Sequence, residues 1–238
     1  MFAVVMPAAG SGTRFGGGDK LLVEIGGESV LRRSVGLFAQ RTDVGQMVIV
    51  TGRERIEIYR EHLTVEKLKR PQDFLVFVEG GRERWESVVC GLKAVRGDIR
   101  YVAIQDAARP LTPVEVIDAA FAGAVRVGGS VPVVAEPATL KRVGADGNVM
   151  ETVSRAGLFQ AQTPQCFERA KLAAAFEALG KRGELAGVTD DAQVFEKMGH
   201  AVAATMGSVV NLKITTAEDV RVAEGILRGT NEELRIKN

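Results

Sequence analysis

The chain has 238 residues, 46% of them hydrophobic, with 31 lysines and arginines against 30 acids. That length and apolar content fit one large or two small globular domains and exclude a disordered chain. A formal charge near zero excludes a broad basic face for nucleic acid or anionic membrane, so any anion must be recognised locally, in one cleft.

Ala3–Met6 reads as a buried first strand ending at Pro7. The run is too short to span a bilayer and lacks the basic flank of a signal peptide. No later window holds the roughly 18 apolar residues of a membrane helix, so a soluble, cytoplasmic protein is expected. Ser29 is placed to cap a helix over Val30–Ala39. Further strands are expected at Met47–Thr51, Phe74–Val78, Tyr101–Gln105, Gly129–Val134 and Ala201–Thr205. Thr112 is expected to cap a helix, with Pro113 at its first position and Glu115 three residues past the cap. Thr189-Asp190-Asp191 reads as another cap. Thr216 with Asp219 opens the last helix, which is expected to run to about Arg228 before a polar, fraying tail, Thr230–Asn238. Apolar strands separated by helices imply an α/β fold: a Rossmann-like, mostly parallel sheet with helices on both faces. Ligands of such sheets sit at the carboxyl ends of the strands.

Glu136–Gln165 breaks the alternation. Ala138–Val143, a turn at Asp146-Gly147-Asn148, and Val149–Val153 read as a β-hairpin. A lone hairpin is marginal in water, so this one is either a surface flap or a protruding arm that packs on another subunit. The whole of 1–238 is read as a single domain with the arm inserted at about 136–165. Cys90 and Cys166 lie far apart among apolar residues and read as buried thiols of a reducing compartment. His62 and His200 stand in no zinc-ligand spacing.

The loops after the strands hold the chemistry. In Pro7-Ala8-Ala9-Gly10-Ser11-Gly12-Thr13-Arg14-Phe15-Gly16-Gly17-Gly18-Asp19-Lys20, the small residues let backbone N–H groups approach a polyphosphate. Arg14 and Lys20 add charge-assisted hydrogen bonds to phosphate oxygens. Walker A is excluded, because Lys20 follows Asp19 and precedes Leu21. The dinucleotide fingerprint is broken, because the third glycine falls at 16 where the spacing requires 15. Asp106, in Gln105-Asp106-Ala107-Ala108-Arg109-Pro110, suits Mg²⁺, which takes carboxylate and phosphate oxygens. Arg109 is placed to meet a phosphate in the same cleft, or else to satisfy the turn by pairing with Asp106. Lys213 lies between Leu212 and Ile214 in an expected short strand, where it can stabilise charge on a phosphorus under attack. Ser154-Arg155 and Gln162-Thr163-Pro164-Gln165 add an arginine and a hydroxyl in the arm region.

Taken in order, Pro7-Ala8-Ala9-Gly10-x-Gly12-x-Arg14 with Lys20, Asp106 to Pro110, Thr163-Pro164-Gln165 and Asn211-Leu212-Lys213-Ile214-Thr215 resemble the cytidylyltransferases acting on 2-C-methyl-D-erythritol 4-phosphate, over essentially the whole chain. The resemblance implies CTP as co-substrate, a polyol phosphate as acceptor, a divalent cation such as Mg²⁺ and a homodimer joined through the arm. It places Arg14 and Lys20, with the backbone of Ala8, Ala9, Gly10 and Gly12, along the triphosphate, and Lys213 at the α-phosphate. By the same likeness Asp106 holds the metal, and Gly80, Gly81 and Ser87 border the cytosine. Arg109, Thr139, Arg155 and Thr163 form the acceptor's phosphate pocket, Arg155 and Thr163 reaching the substrate of the other subunit. The chain departs from the family's usual residues at Asp19, Leu21, Gln105, Ala138 and Ser154. Rivals on these residues alone are an enzyme for ribitol 5-phosphate or another polyol phosphate, and a catalytically silent nucleotide-binding module.

Overall fold

Strand β1 (Phe2–Pro7) is followed by a short ribbon, β2 (Glu24–Ile25) and β3 (Glu28–Ser29), then helix α1 (Val30–Ala39) and β4 (Val44–Thr51). Next come α2 (Ile56–His62), β5 (Leu75–Glu79), α3 (Arg84–Ala94), β6 (Tyr101–Ile104), α4 (Val114–Val127) and β7 (Gly129–Ala135). The hairpin β8 (Leu140–Val143) and β9 (Val149–Val153) precedes β10 (Phe159–Ala161), β11 (Gln165–Glu168) and α5 (Arg169–Arg182). The chain ends with α6 (Asp191–Lys197), β12 (Ala203–Met206) and α7 (Ala217–Ile236). This computed structural model describes residues 1–10, 15, 17–63, 70–71 and 73–236, the stretch 230–236 by its backbone alone.

The central sheet runs β10-β7-β11-β6-β1-β4-β5, with β12 added beside β7. β1 pairs in parallel with β4 and β6, β4 with β5, and β12 with β7. β11 lies antiparallel between β6 and β7, and β10 antiparallel on β7. Because successive strand residues point to opposite faces, β1 divides between two cores. Phe2, Val4 and Met6 pack with Leu31, Val35 and Phe38 of α1 and Ile117 and Phe121 of α4. Ala3 and Val5 pack on the other face with Val88 and Leu92 of α3, and Leu172 and Phe176 of α5. The expected Rossmann-like sheet covered on both faces is therefore present.

Gly91 shows how close that packing is: a Cβ there would come within 2.3 Å of Val5 Cγ1 and 2.9 Å of Val50 Cγ2. The hairpin forms as expected, with Arg142 opposite Glu151 and Gly147 at a positive φ of 80° in its turn. Among the described residues its strands pair only with each other.

Several expectations are corrected. Leu212–Ile214 is no strand; the Ile214 N–H donates to the carbonyl of Ala108 at 2.8 Å, outside any ladder. Thr112 does not cap α4, whose N-cap is Pro113. Its hydroxyl instead meets the side chains of Gln105 and Asn211 at 3.1 and 2.8 Å. The last helix continues past Arg228 to Ile236, into the stretch expected to fray. Cys166 is buried as expected, whereas Cys90 is half-buried. Strands β10 and β11 are additions that the apolar runs did not mark. Among the described residues no helix is long and apolar enough to cross a membrane.

Candidate active site

At the carboxyl ends of β1, β5 and β6 the loops enclose a cleft of about 740 Å³, including its solvent-open mouth. Pro7–Gly10, Lys20, Gly81, Arg84, Ser87, Asp106 and Lys213 line it. The first loop leaves β1 in a fixed direction, because the Ala8 N–H donates to the carbonyl of Val50 at 2.6 Å. The Thr51 hydroxyl donates back to the carbonyl of Ala8 at 3.2 Å. Gly12 and Arg14 lie outside the described residues.

The other end of that loop is fastened by Asp19. Its carboxylate accepts from the Leu21 N–H at 3.0 Å and from the Tyr59 hydroxyl at 2.5 Å. Lys20, the next residue, donates from Nζ to the carbonyl of Ile214 at 3.1 Å. Lys213 in turn places Nζ 3.0 Å from Asp106 Oδ2. Loops separated by most of the chain thus bring Lys20, Asp106 and Lys213 together.

Asp106 is the electrostatic centre of the cleft. Burial alone would raise its pKa, but Lys213, then Arg84 and Arg109, outweigh burial and hold it at about 2. It is a carboxylate at any physiological pH. Its N–H donates to Thr163 Oγ1 at 3.1 Å, so the buried Thr163 braces the turn that carries it. Arg109 donates from Nε to Asp106 Oδ2 at 3.2 Å and from Nη1 to the carbonyl of Asn211 at 2.6 Å. The turn-satisfying role foreseen for Arg109 is the one seen here, and it does not line the cleft.

Gly80 and Gly81 have a packing reason beside any nucleotide. A Cβ on Gly80 would sit 2.6 Å from Ser87 Oγ, and one on Gly81 would sit 2.2 Å from Glu86 Cβ. Ser87 is 2% exposed and lies at the cleft wall. Thr139 and Arg155 are exposed on the arm segment and do not line this cleft. Arg155 donates to the carbonyl of Pro137 within the arm.

Sequence reasoning missed Arg84. It opens α3 three residues before Ser87, the spacing that puts two side chains on one helix face. Its Nη2 lies 2.7 Å from Asp191 Oδ2, whose side chain is 1% exposed. The expected cap at 189–191 is real, but Asp190 performs it, accepting from the Gln193 N–H at 3.0 Å. The one signal for Arg84 was a cation three residues after a glycine pair at a strand's carboxyl end.

A divalent cation is compatible with this donor set. Mg²⁺ asks for hard oxygens and usually keeps waters and phosphate oxygens with one or two carboxylates. Asp106 is an ionised carboxylate in the cleft, and among the described residues no cluster of three or more His, Cys, Asp or Glu forms an all-protein cage. The site therefore suits a cation brought in with a phosphate.

Comparisons with known proteins agree on one family. The family model for 2-C-methyl-D-erythritol 4-phosphate cytidylyltransferase matches residues 2–229. A protein of that name from Rhodopirellula baltica is 36% identical, over 97% of this chain and 96% of its own. Another from Halalkalibacterium halodurans is 37% identical, over 95% and 96%. Among solved structures, the 4-diphosphocytidyl-2C-methyl-D-erythritol synthase of Anaerococcus prevotii superposes with a TM-score of 0.80 at 25% identity, covering 95% of this chain and 98% of that one. The cytidylyltransferase of Thermus thermophilus superposes with a TM-score of 0.76 at 28% identity, covering 95% and 98%.

Proposed function

The chain belongs to the 2-C-methyl-D-erythritol 4-phosphate cytidylyltransferase family, and from that premise we propose how its own residues carry the reaction. The protein is a CTP-dependent nucleotidyltransferase. It joins CTP and 2-C-methyl-D-erythritol 4-phosphate to give 4-diphosphocytidyl-2-C-methyl-D-erythritol and pyrophosphate, in isoprenoid precursor synthesis by the non-mevalonate pathway. The matched relatives carry that substrate in their names, which disfavours ribitol 5-phosphate and a silent nucleotide-binding module.

A phosphate monoester of the acceptor attacks the α-phosphorus of CTP in line with the departing pyrophosphate. The acceptor phosphate is already an anion at neutral pH, so no protein nucleophile is required. The work left to the protein is to hold two like-charged reactants together and to neutralise the charge that develops between them. Lys20 and the backbone of Ala8, Ala9, Gly10 and Gly12 cradle the triphosphate, with Arg14 beside them. Lys213 faces the α-phosphate; its contact with Asp106 supports this, because it holds the ammonium at the wall of the cleft. Gly80, Gly81 and Ser87 border the cytosine. Asp106 would hold a divalent cation, which when bound supplies further neutralisation of phosphate charge.

Arg155 and Thr163 reach the phosphate of the acceptor bound by the other subunit, and Thr139 and Arg109 complete that pocket. The exposure of Arg155 and Thr139, away from the cleft of their own chain, supports a homodimer joined through the arm. So do the apolar side chains there: Val149, Met150 and Phe159 are 61%, 69% and 57% exposed. The whole chain, 1–238, acts as one nucleotidyltransferase unit with 136–165 as its arm. Its place of work is the cytoplasm, where two unpaired cysteines persist as thiols.

The observation that carries this reading is the meeting of Lys20, Asp106 and Lys213 in one cleft, Lys20 on the carbonyl of Ile214 and Lys213 on Asp106, with no competing nucleophile–base pair among the described residues that line it. It is tested by a pyrophosphate-release screen of the four ribonucleoside triphosphates against a panel of polyol phosphates. Release only with CTP and methylerythritol phosphate is expected; equal release with ribitol 5-phosphate contradicts the acceptor, and no release with any pair contradicts the reaction.

A further inference from the structure

We infer that Asp191 is a positioning residue for nucleotidyl transfer: it holds the Arg84 guanidinium in the cleft beside Asp106, where Arg84 binds the phosphate chain of the nucleotide. The inference rests on the proposed nucleotide site.

Asp191 itself does not line the cleft, whereas Arg84 does, together with Lys20, Asp106 and Lys213. The two are bound at 2.7 Å, with the carboxylate 1% exposed and the guanidinium 33% exposed. A guanidinium carries five N–H donors in a planar fork, and among the described residues this one hydrogen-bonds only to Asp191. Its remaining donors are available to a ligand at the exposed end.

Helix capping does not explain Asp191. Asp190 accepts the capping bond, and the Gln165 side chain accepts from the N–H groups of Asp191 and Ala192 at 3.0 and 2.9 Å. The Asp191 carboxylate therefore stays buried against the cost of leaving water, with Arg84 as its cationic partner. A buried ion pair whose cation ends in a ligand cleft fixes that cation before the ligand arrives. Such preorganisation lowers the cost of binding.

A plain structural brace between α3 and α6 predicts different kinetics. The test is steady-state pyrophosphate release by wild type, Arg84→Gln, Asp191→Asn and the double variant, with thermal melts alongside. Arg84→Gln is expected to lower kcat/KM for CTP about tenfold or more, as loss of a charged hydrogen bond does, while KM for the acceptor stays within about twofold. Asp191→Asn is expected to lower kcat/KM for CTP in the wild-type background and to add nothing in the Arg84→Gln background. Unchanged CTP kinetics in Asp191→Asn overturns the inference, and so does an equal loss in both backgrounds. Should Asp191→Asn fail to fold, Arg84→Lys decides: it keeps the ion pair and loses the fork, so a CTP-specific loss supports the inference and unchanged CTP kinetics overturns it. If wild type releases no pyrophosphate, the proposed reaction has failed; equilibrium dialysis of labelled CTP against the same variants then reads the coupling separately.

Discussion

Lys213 and Arg109 share one oxygen of Asp106, at 3.0 and 3.2 Å, yet only Lys213 lines the cleft. Removing the two cations should therefore have different consequences. Lys213→Ala is expected to lower kcat by about a hundred- to a thousandfold, the effect of losing one preorganised group at a developing charge. Asp106 keeps Arg109 and Arg84 as partners, so the melting temperature should stay near that of wild type; unchanged turnover would remove Lys213 from the reaction. Arg155→Glu should raise KM for the acceptor about tenfold or more and leave KM for CTP nearly unchanged. An equal rise in both would contradict its assignment to the acceptor. At this scale the sequence was legible where chemistry and local pattern coincide. Lys20 closes a glycine-rich loop, and Asp106 ends an apolar strand. Arg84 was not legible, because its partner Asp191 is 107 positions away and only the tertiary fold, in which α3 and α6 both pack on α5, brings them together.

The strands of the central sheet were readable as short apolar runs, since a strand covered on both faces has no polar side to interrupt it. What escaped were the antiparallel strands β10 and β11; the four residues of β11 mix polar and apolar types and lie between neighbours that no local pattern names. The loop at Lys213 was misread for a related reason: alternation of Leu212, Lys213 and Ile214 resembles a strand, while tertiary hydrogen bonds hold it as a connector. Elements also set stability. Gly91→Ala is expected to destabilise by about 1–3 kcal/mol in urea unfolding, because the new methyl meets Val5 and Val50 across a packed interface. A neutral result would mean that α3 can shift on the sheet.

The start of α7 gives a pH-dependent case. Burial would raise the pKa of Asp219, but hydrogen bonds from Thr215 and Thr216 outweigh it and lower the value from 3.8. A depressed carboxylate contributes stability that is present above its unfolded pKa and is lost as pH falls through its native one. Asp219→Asn should therefore be less stable than wild type near neutral pH. That difference should close as pH falls below about 4, through the native pKa. A difference that does not change with pH would show that the charge on Asp219 contributes nothing.

For the whole molecule, the arm and the cleft make separate demands. The cleft is built by one chain, whereas the proposed second copy would cover the exposed Arg155, Thr139 and Phe159. Phe159→Glu is expected to shift sedimentation from dimer to monomer and to depress turnover through the acceptor; a monomeric wild type with full activity would contradict the shared site. The general class of fold and the phosphate-binding chemistry were legible from spacing alone, but the acceptor came from likeness to a family. No loop composition encodes a particular polyol.

The most direct measurement of the central claim uses methylerythritol phosphate carrying ¹⁸O in its phosphate group, incubated with CTP and the protein, and mass spectrometry of both products. Attack of that phosphate on the α-phosphorus predicts that all of the label enters the diphosphocytidyl product and none enters the pyrophosphate. Label in the pyrophosphate, or no diphosphocytidyl product, would contradict the reaction assigned to this cleft.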